Sequence, residues 1–217
     1  MKLYSFWRSQ ASYRVRIALH LKGLPYETIT IDLLKGDQFD PAYRSLNPEA
    51  AVPTLVEDDG RLLVQSVAIL EYIEETHPEP PILPASPHDR AHSRAIAAMV
   101  AGDVHPLIVP RMRKYLQETL GVGEAARVEW FRHWMGLGSR AVEELLSRDP
   151  RTGRFCCGDS PTIADLCLIP HFVSASHLYD LNLGDYPTCQ RIFENCMELD
   201  AFAATHPMKQ PDAPAHH

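Results

Sequence analysis

Tyr4-Ser5-Phe6-Trp7-Arg8-Ser9-Gln10-Ala11-Ser12-Tyr13-Arg14-Val15-Arg16-Ile17-Ala18-Leu19-His20-Leu21-Lys22-Gly23 carries a strand end, a polar turn and a helix in one run. A short apolar strand, Met1 to Tyr4, leads into it. A polar turn, Arg8 to Ala11, follows, and a helix opens at about Ser12. Ser9 or Ser12 can cap that helix, because a serine oxygen can accept from an amide of the first turn. Val15, Ala18 and Leu19, with Ile17 and Leu21 beside them, form a broad apolar arc at helical spacing. Gly23 suits the left-handed position just past the helix end. Strand, polar turn and helix start together present unpaired N–H groups to an anion. Arg8 adds a cation there and Ser9 a hydroxyl donor. The same residues also read as an ordinary β-loop-α unit with a serine cap.

Outward from this stretch, Tyr26 to Asp32 changes to period two, with Ile29 and Ile31 on one face and Thr28 and Thr30 on the other. The connection from the first helix is short, so the two strands are expected to run parallel. Residues 33–46 are irregular, with a helical turn around Pro41 to Ser45. Pro53 has no amide to give a ladder and marks the entry to a strand. Asp58-Asp59-Gly60 is a hairpin turn, and Arg61 to Val64 is the returning strand. Gln65-Ser66 opens a helix to about Thr76, with Val67, Ile69, Leu70 and Ile73 on its apolar side. The order β-α-β, then β-β-α, is that of a thioredoxin-like α/β domain, here without a C-x-x-C redox pair.

Prolines at 78, 80, 81, 84 and 87 then exclude a regular helix or a central strand. The chain is therefore divided into a thioredoxin-like domain, 1–77, a Pro-rich linker, 78–87, an all-α domain, 88–207, and a tail, 208–217, expected to be mobile. Helical patterns cover about 88–120, 124–148, 162–178 and 188–204. Thr162-Ile163-Ala164-Asp165 has the spacing of a capping box, in which hydroxyl and carboxylate bond each other's amides.

At 217 residues the chain can bury a sizeable core. A formal net charge of −7 argues against nucleic acid as a partner. No apolar run was expected to reach the length of a membrane span, and the start lacks the apolar region of a signal peptide. The five cysteines lack metal-ligand spacing and read as reduced structural thiols, which points to the cytoplasm. The eleven histidines are scattered, with no H-E-x-x-H, so no metal site is expected.

The run R-S-Q-A-S-Y-R-V-R-I-A-L from Arg8 resembles the signature R-S-S-C-x-x-R-V-R-I-A-L of zeta-class glutathione transferases. N-P-E-A-A-V-P-T-L from Asn47 resembles the N-P-x-x-x-V-P-x-L of that family. Gln65-Ser66-x-Ala68-Ile69 matches its Q-S-x-A-I, and G-D-S-P-T-I-A-D-L from Gly158 matches its helical-domain capping segment. The resemblance spans nearly the whole chain, in order, and implies glutathione as cofactor and a homodimer. The class includes isomerases of maleylacetoacetate and of maleylpyruvate, so it implies cis–trans isomerisation of a small dicarboxylate.

By the same resemblance, the Val52-Pro53 bond would be cis, and Val52 would offer its backbone to the cysteinyl part of glutathione. Gln65 and Ser66 would hold the γ-glutamyl end. Gln38 and His105 would contact the rest of the tripeptide, and Ser9, with Gln10, Ala11 and Ser12 beside it, would face the sulfur. Ser9 is the expected catalytic hydroxyl, and Arg8, Arg111 and His177 the expected substrate clamps. Lowering a thiol pKa by about two units takes roughly 2.7 kcal/mol, more than one hydroxyl gives, so the helix start and Arg8 must contribute. The chain departs from the family pattern at several places. Gln10 and Ala11 replace Ser-Cys, Ala51 replaces a glutamine, and Leu107-Ile108-Val109 replaces asparagines. His177 stands for an arginine, and as a clamp it would hold an anion best below its pKa. Two alternatives stay open: a transferase acting on another small electrophilic acid, and a non-catalytic glutathione-binding module.

Overall fold

Four short strands form one mixed sheet in the order β2-β1-β3-β4: β1 Lys2–Ser5, β2 Glu27–Thr30, β3 Thr54–Val56 and β4 Leu62–Val64. β1 and β2 run parallel, with Leu3 opposite Thr28, while β1–β3 and β3–β4 are antiparallel. This is the thioredoxin-like order expected from the sequence. The computed structural model describes residues 1–179 and 181–214, with backbone alone for 177–179. The described chain forms two compact units, Met1–Ile82 with Met197–His217, and Leu83–Cys196.

In the first unit, helix α1, Gln10–Leu21, begins two residues before the expected Ser12, because Ser9 is the cap. Every residue from Gln10 to Leu19 is buried, so α1 is a core helix on all sides, well beyond an apolar arc. Gly23, at φ +63°, donates to His20 O, and Leu24 donates to Leu19 O. Those two bonds close the helix as a Schellman motif, with the glycine where expected. Lys22, the C-cap, sends a fully buried ammonium to Glu74 Oε2 at 2.6 Å. Glu74 lies on α3, Ser66–Thr76, and also accepts from Ile82 N at 3.0 Å. A short α2, Pro41–Leu46, is capped by Asp40. The Val52-Pro53 bond is cis, as is Glu79-Pro80.

The division expected at 88–207 and 208–217 differs from the one observed, because residues 197–217 group with the sheet. Hydrogen bonds tie this stretch to α1 and its leading loop, and the expected tail takes part through Asp212. Tyr13 Oη donates to Phe202 O at 2.7 Å, and Arg16 Nε donates to Thr205 O at 3.3 Å. Trp7 N donates to Asp212 Oδ2 at 2.9 Å. These partners sit 189 and 205 residues apart, beyond the reach of any local pattern.

The second unit is helical: α4 Pro87–Ala98, α5 Pro110–Lys114, α6 Glu124–Arg148, α7 Ile163–Tyr179 and most of α8 Pro187–Met197. A short α9, Asp200–Ala204, returns to the first unit. The single helix expected over 88–120 is interrupted. α4 runs on as a π-helical segment, Met99–Val104, and the chain turns through His105–Leu107 before α5. Pro106 and Pro110, lacking amide donors, fit each restart. Contrary to the expectation of no span-length apolar run, Pro87–Thr119 contains a window of mean hydropathy 1.2, long and apolar enough to cross a membrane by length and composition. Ile96, Val100 and Val104 of that stretch are buried in the fold. Of the apolar stripe Ile96, Met99 and Val100, the first and last are core.

Every residue of α7 from Ile163 to Ala175 is buried, and Pro170 lies inside the helix. The five cysteines are free thiols. Burial pushes the half-buried Cys157 thiol up to about 11 and raises Cys156, Cys189 and Cys196 further, which suppresses the reactive thiolate. The capping box of α7 forms with one change. Asp165 accepts from Thr162 N at 2.7 Å and from Cys156 N at 2.8 Å, while the Thr162 hydroxyl donates to the same carboxylate at 3.1 Å. Burial raises the Asp165 pKa, opposed by these donors. Asp165→Ala strands two buried amides, so we expect a loss of about 2–4 kcal/mol in urea unfolding. Asp165→Asn, which keeps one acceptor, should lose about half of that.

Candidate functional site

Three helix or loop starts in the first unit carry most of the expected ligand residues. The first is the turn before α1. Ser9 N donates to Phe6 O at 3.0 Å, and Ser9 Oγ accepts from Ser12 N at 3.2 Å. The Ser9 oxygen therefore closes the helix while its O–H remains a donor. Gln10 and Ala11 are buried at 7% and 8% exposure, and Ser12 is wholly buried. Gln10 Oε1 and Ser12 Oγ are buried without a hydrogen-bond partner. Arg8 is half-buried.

The loop leading to this turn is fixed by a residue the sequence reading did not single out. Arg16, with 0% exposure, sends Nη1 to Ser5 Oγ at 3.0 Å and Phe6 O at 3.3 Å, and Nη2 to Trp7 O at 3.0 Å. Desolvation brings its pKa down to about 10, which leaves it charged at neutral pH. Asp212 completes the grip from the other side of Trp7.

The second start is the loop into β3. Asn47, 2% exposed, donates Nδ2 to Ala51 O at 2.9 Å and Thr54 Oγ1 at 3.1 Å, and its Oδ1 accepts from Glu49 N at 3.1 Å. Tyr43 Oη also donates to Ala51 O. These bonds hold Ala50 at φ +53° and set Val52, 8% exposed, beside Pro53. The Asn47-Pro48 pair was legible as a motif, but its anchoring role was not.

The third is the start of α3. Gln65 is its N-cap, at φ +69° and ψ 113°, and makes no side-chain cap bond. A glutamine in that region is strained, and such strain collects at ligand sites. Its Nε2 instead donates to Glu49 Oε2 at 2.6 Å. Ser66, read as a cap, is the first helical residue, and its Oγ accepts from Arg14 Nη1 at 3.1 Å. Gln38 lies in the short turn Asp37–Phe39. Its Nε2 donates to Leu33 O at 3.4 Å, and its Oε1 is buried without a partner.

The remaining expected residues lie in the second unit. His105, half-buried, opens the turn after the π segment. Arg111 is exposed on α5. Arg113 lies 4.8 Å above the Phe131 ring, and Lys114 pairs with Glu118 at 3.8 Å. Leu107 and Ile108, at family asparagine positions, join an apolar cluster with Leu116, Phe131 and Met135. His177 lies on the α7 backbone, and its side chain is outside the described residues. One cavity of about 310 Å³ in the first unit is lined by Tyr4, Ile31, Asp37, Asp40, Ala42, Tyr43 and Leu46 and includes none of the expected site residues.

Residues 3–81 match the family described as glutathione S-transferase, N-terminal domain. The chain is 44% identical to a maleylpyruvate isomerase of a Ralstonia species, over 98% of this chain and 100% of that one. A solved maleylpyruvate isomerase, described as a bacterial glutathione S-transferase in the zeta class, superposes with a TM-score of 0.95 at 43% identity, over 99% and 100% of the two chains. This chain belongs to the zeta class of the glutathione transferases. A maleylacetoacetate isomerase from Methylobacterium extorquens AM1, solved with bound malonate and GSH, superposes on this zeta-class chain with a TM-score of 0.96. The two share 46% identity over 99% of this chain and 100% of the other.

The zeta-class turn is thus held by both ends of the described chain. Removing the Asp212 carboxylate should loosen it locally. Asp212→Ala is expected to cost about 1 kcal/mol and to speed exchange of the Trp7 amide about tenfold, with Asp212→Asn close to wild type. Amide exchange followed by NMR checks this.

Proposed function

We propose that this zeta-class chain is a cytoplasmic, glutathione-dependent cis–trans isomerase of a small unsaturated keto-diacid of the maleylacetoacetate or maleylpyruvate kind. The observation that carries the reading is whole-length likeness to isomerases of both substrates, one of them solved with glutathione and a dicarboxylate. The residues present suit the cofactor. The α3 start has no side-chain cap, so its amides can meet a carboxylate, and the buried oxygens of Gln10 and Gln38 can accept from peptide N–H groups.

Ser66 and Gln65 hold the γ-glutamyl end, Val52 beside Pro53 the cysteinyl backbone, and Gln38 and His105 the remainder. Glutathione held there would supply the thiolate nucleophile for reversible addition to the cis double bond, the chemistry that cis–trans isomerisation needs. Ser9 donates its O–H to the sulfur, favouring the thiolate, with help from the α1 start and Arg8. By the family resemblance, Arg8, Arg111 and His177 are the clamps proposed for the two substrate carboxylates.

Loss of the cis diacid in the presence of glutathione, followed spectrophotometrically for both substrates, tests the activity. Conjugation of a chlorinated acid without isomerisation would favour the transferase alternative. Ser9→Ala should reduce turnover at least about tenfold while glutathione affinity changes little, and lower stability by about 1 kcal/mol through the lost cap. Equal losses of rate and affinity would leave Ser9 a cap alone. We also propose a homodimer, as in the family resemblance; sedimentation as a monomer at micromolar concentration would rule it out.

A further inference from the structure

Arg14 is 1% exposed, two residues before Arg16 on the same core helix. Its Nη1 donates to Ser66 Oγ at 3.1 Å, and Ser66 is the first residue of the eleven-residue α3. We infer that Arg14 is a positioning residue for the α-carboxylate of the glutathione γ-glutamyl group, acting through Ser66. The inference rests on the glutathione reading above.

A serine oxygen has one proton and two lone pairs. With a guanidinium donating into one lone pair, the proton of Ser66 is turned away from Arg14 and toward an acceptor on the other side. The bond also polarises the hydroxyl and makes it a stronger donor, because charge-assisted bonds are short and strong and neighbouring bonds reinforce one another. A guanidinium does not deprotonate at working pH, so its charge stands permanently behind the α3 start. The unpaired amides of α3, the Ser66 proton and the Arg14 charge all favour an anion at one point. At 1% exposure Arg14 cannot clamp a ligand directly, which separates its role from that of the half-buried Arg8. Its effect should therefore fall on the γ-glutamyl carboxylate and spare the cysteinyl and glycyl parts.

Two ligands test this by calorimetry: glutathione, and γ-aminobutyryl-cysteinyl-glycine, which lacks only that carboxylate. Wild type should prefer glutathione. Arg14→Gln should weaken glutathione about tenfold and leave the analogue within about twofold, the signature of one charge-assisted bond. Ser66→Ala should lose a similar share of the preference, and the double variant no more than the larger single loss, because the two act in series. Equal weakening of both ligands in Arg14→Gln would make Arg14 merely structural and overturn the inference. Additive losses in the double variant would do the same. Should Arg14→Gln not fold, Arg14→Lys decides: it keeps a charge without the planar fork, so an intermediate preference supports the role and an unchanged one refutes it. Wild type that binds both ligands equally would sink the carboxylate role alone. Wild type that binds neither would sink the glutathione reading itself.

Discussion

A buried guanidinium, Arg16, is the constraint on which the site depends. It is fully desolvated, and it is tolerated because its nitrogens end on Ser5 Oγ and on the carbonyls of Phe6, Trp7 and Thr205. Carbonyl oxygens at a strand end have no ladder partners to accept from. Phe6 O also accepts from Ser9 N, whereas Trp7 O would lose its Arg16 donor, at a cost of about 1–3 kcal/mol if left unpaired. One side chain answers them together, and in doing so fixes the path of the backbone into Ser9. The Ser9 geometry is thus a consequence of a cation two turns further along α1.

α1 carries two such cations, and they do different work. Arg16 ends on main-chain oxygens and shapes a loop, while Arg14 ends on a hydroxyl and bears on a neighbouring helix start. Around them the helix is buried on every side. Its junction with α3 is closed at one end by the Arg14–Ser66 bond and at the other by the Lys22–Glu74 pair. α3 is consequently tied to α1 near both of its own ends, at Ser66 and at Glu74, which limits how far Ser66 can drift relative to Ser9.

Much of this was legible beforehand. The strand and helix order, the glycine that ends α1, the proline that opens β3 and the capping box of α7 all rest on local chemistry, and local chemistry is what a sequence displays. The glutathione contacts proposed for the first unit came from motif resemblance. Arg14 and Arg16 were quoted within the motif but their work was not seen, because a period-based reading counts charged residues as solvent-facing. Their partners also lie as far away as Thr205. The same distance hid the attachment of residues 197–217 to the sheet, since nothing in that stretch advertises a hydrogen bond to Trp7. The break at 105–109 was missed because apolar periodicity continues across Pro106 and Pro110, and hydrophobic spacing alone does not register a missing amide.

The seating of Thr205 and Asp212 against α1 sets an order of events during synthesis. The strands and α1–α3 emerge from the ribosome with Arg16 and the Trp7 amide still lacking these partners. They keep that deficit while the whole second unit is translated. At about 5–20 residues per second the interval is of the order of ten seconds, long compared with helix and hairpin formation. The first unit to be made is therefore the last to be finished, and a nascent chain that has already formed its sheet has yet to acquire a fixed Ser9 turn.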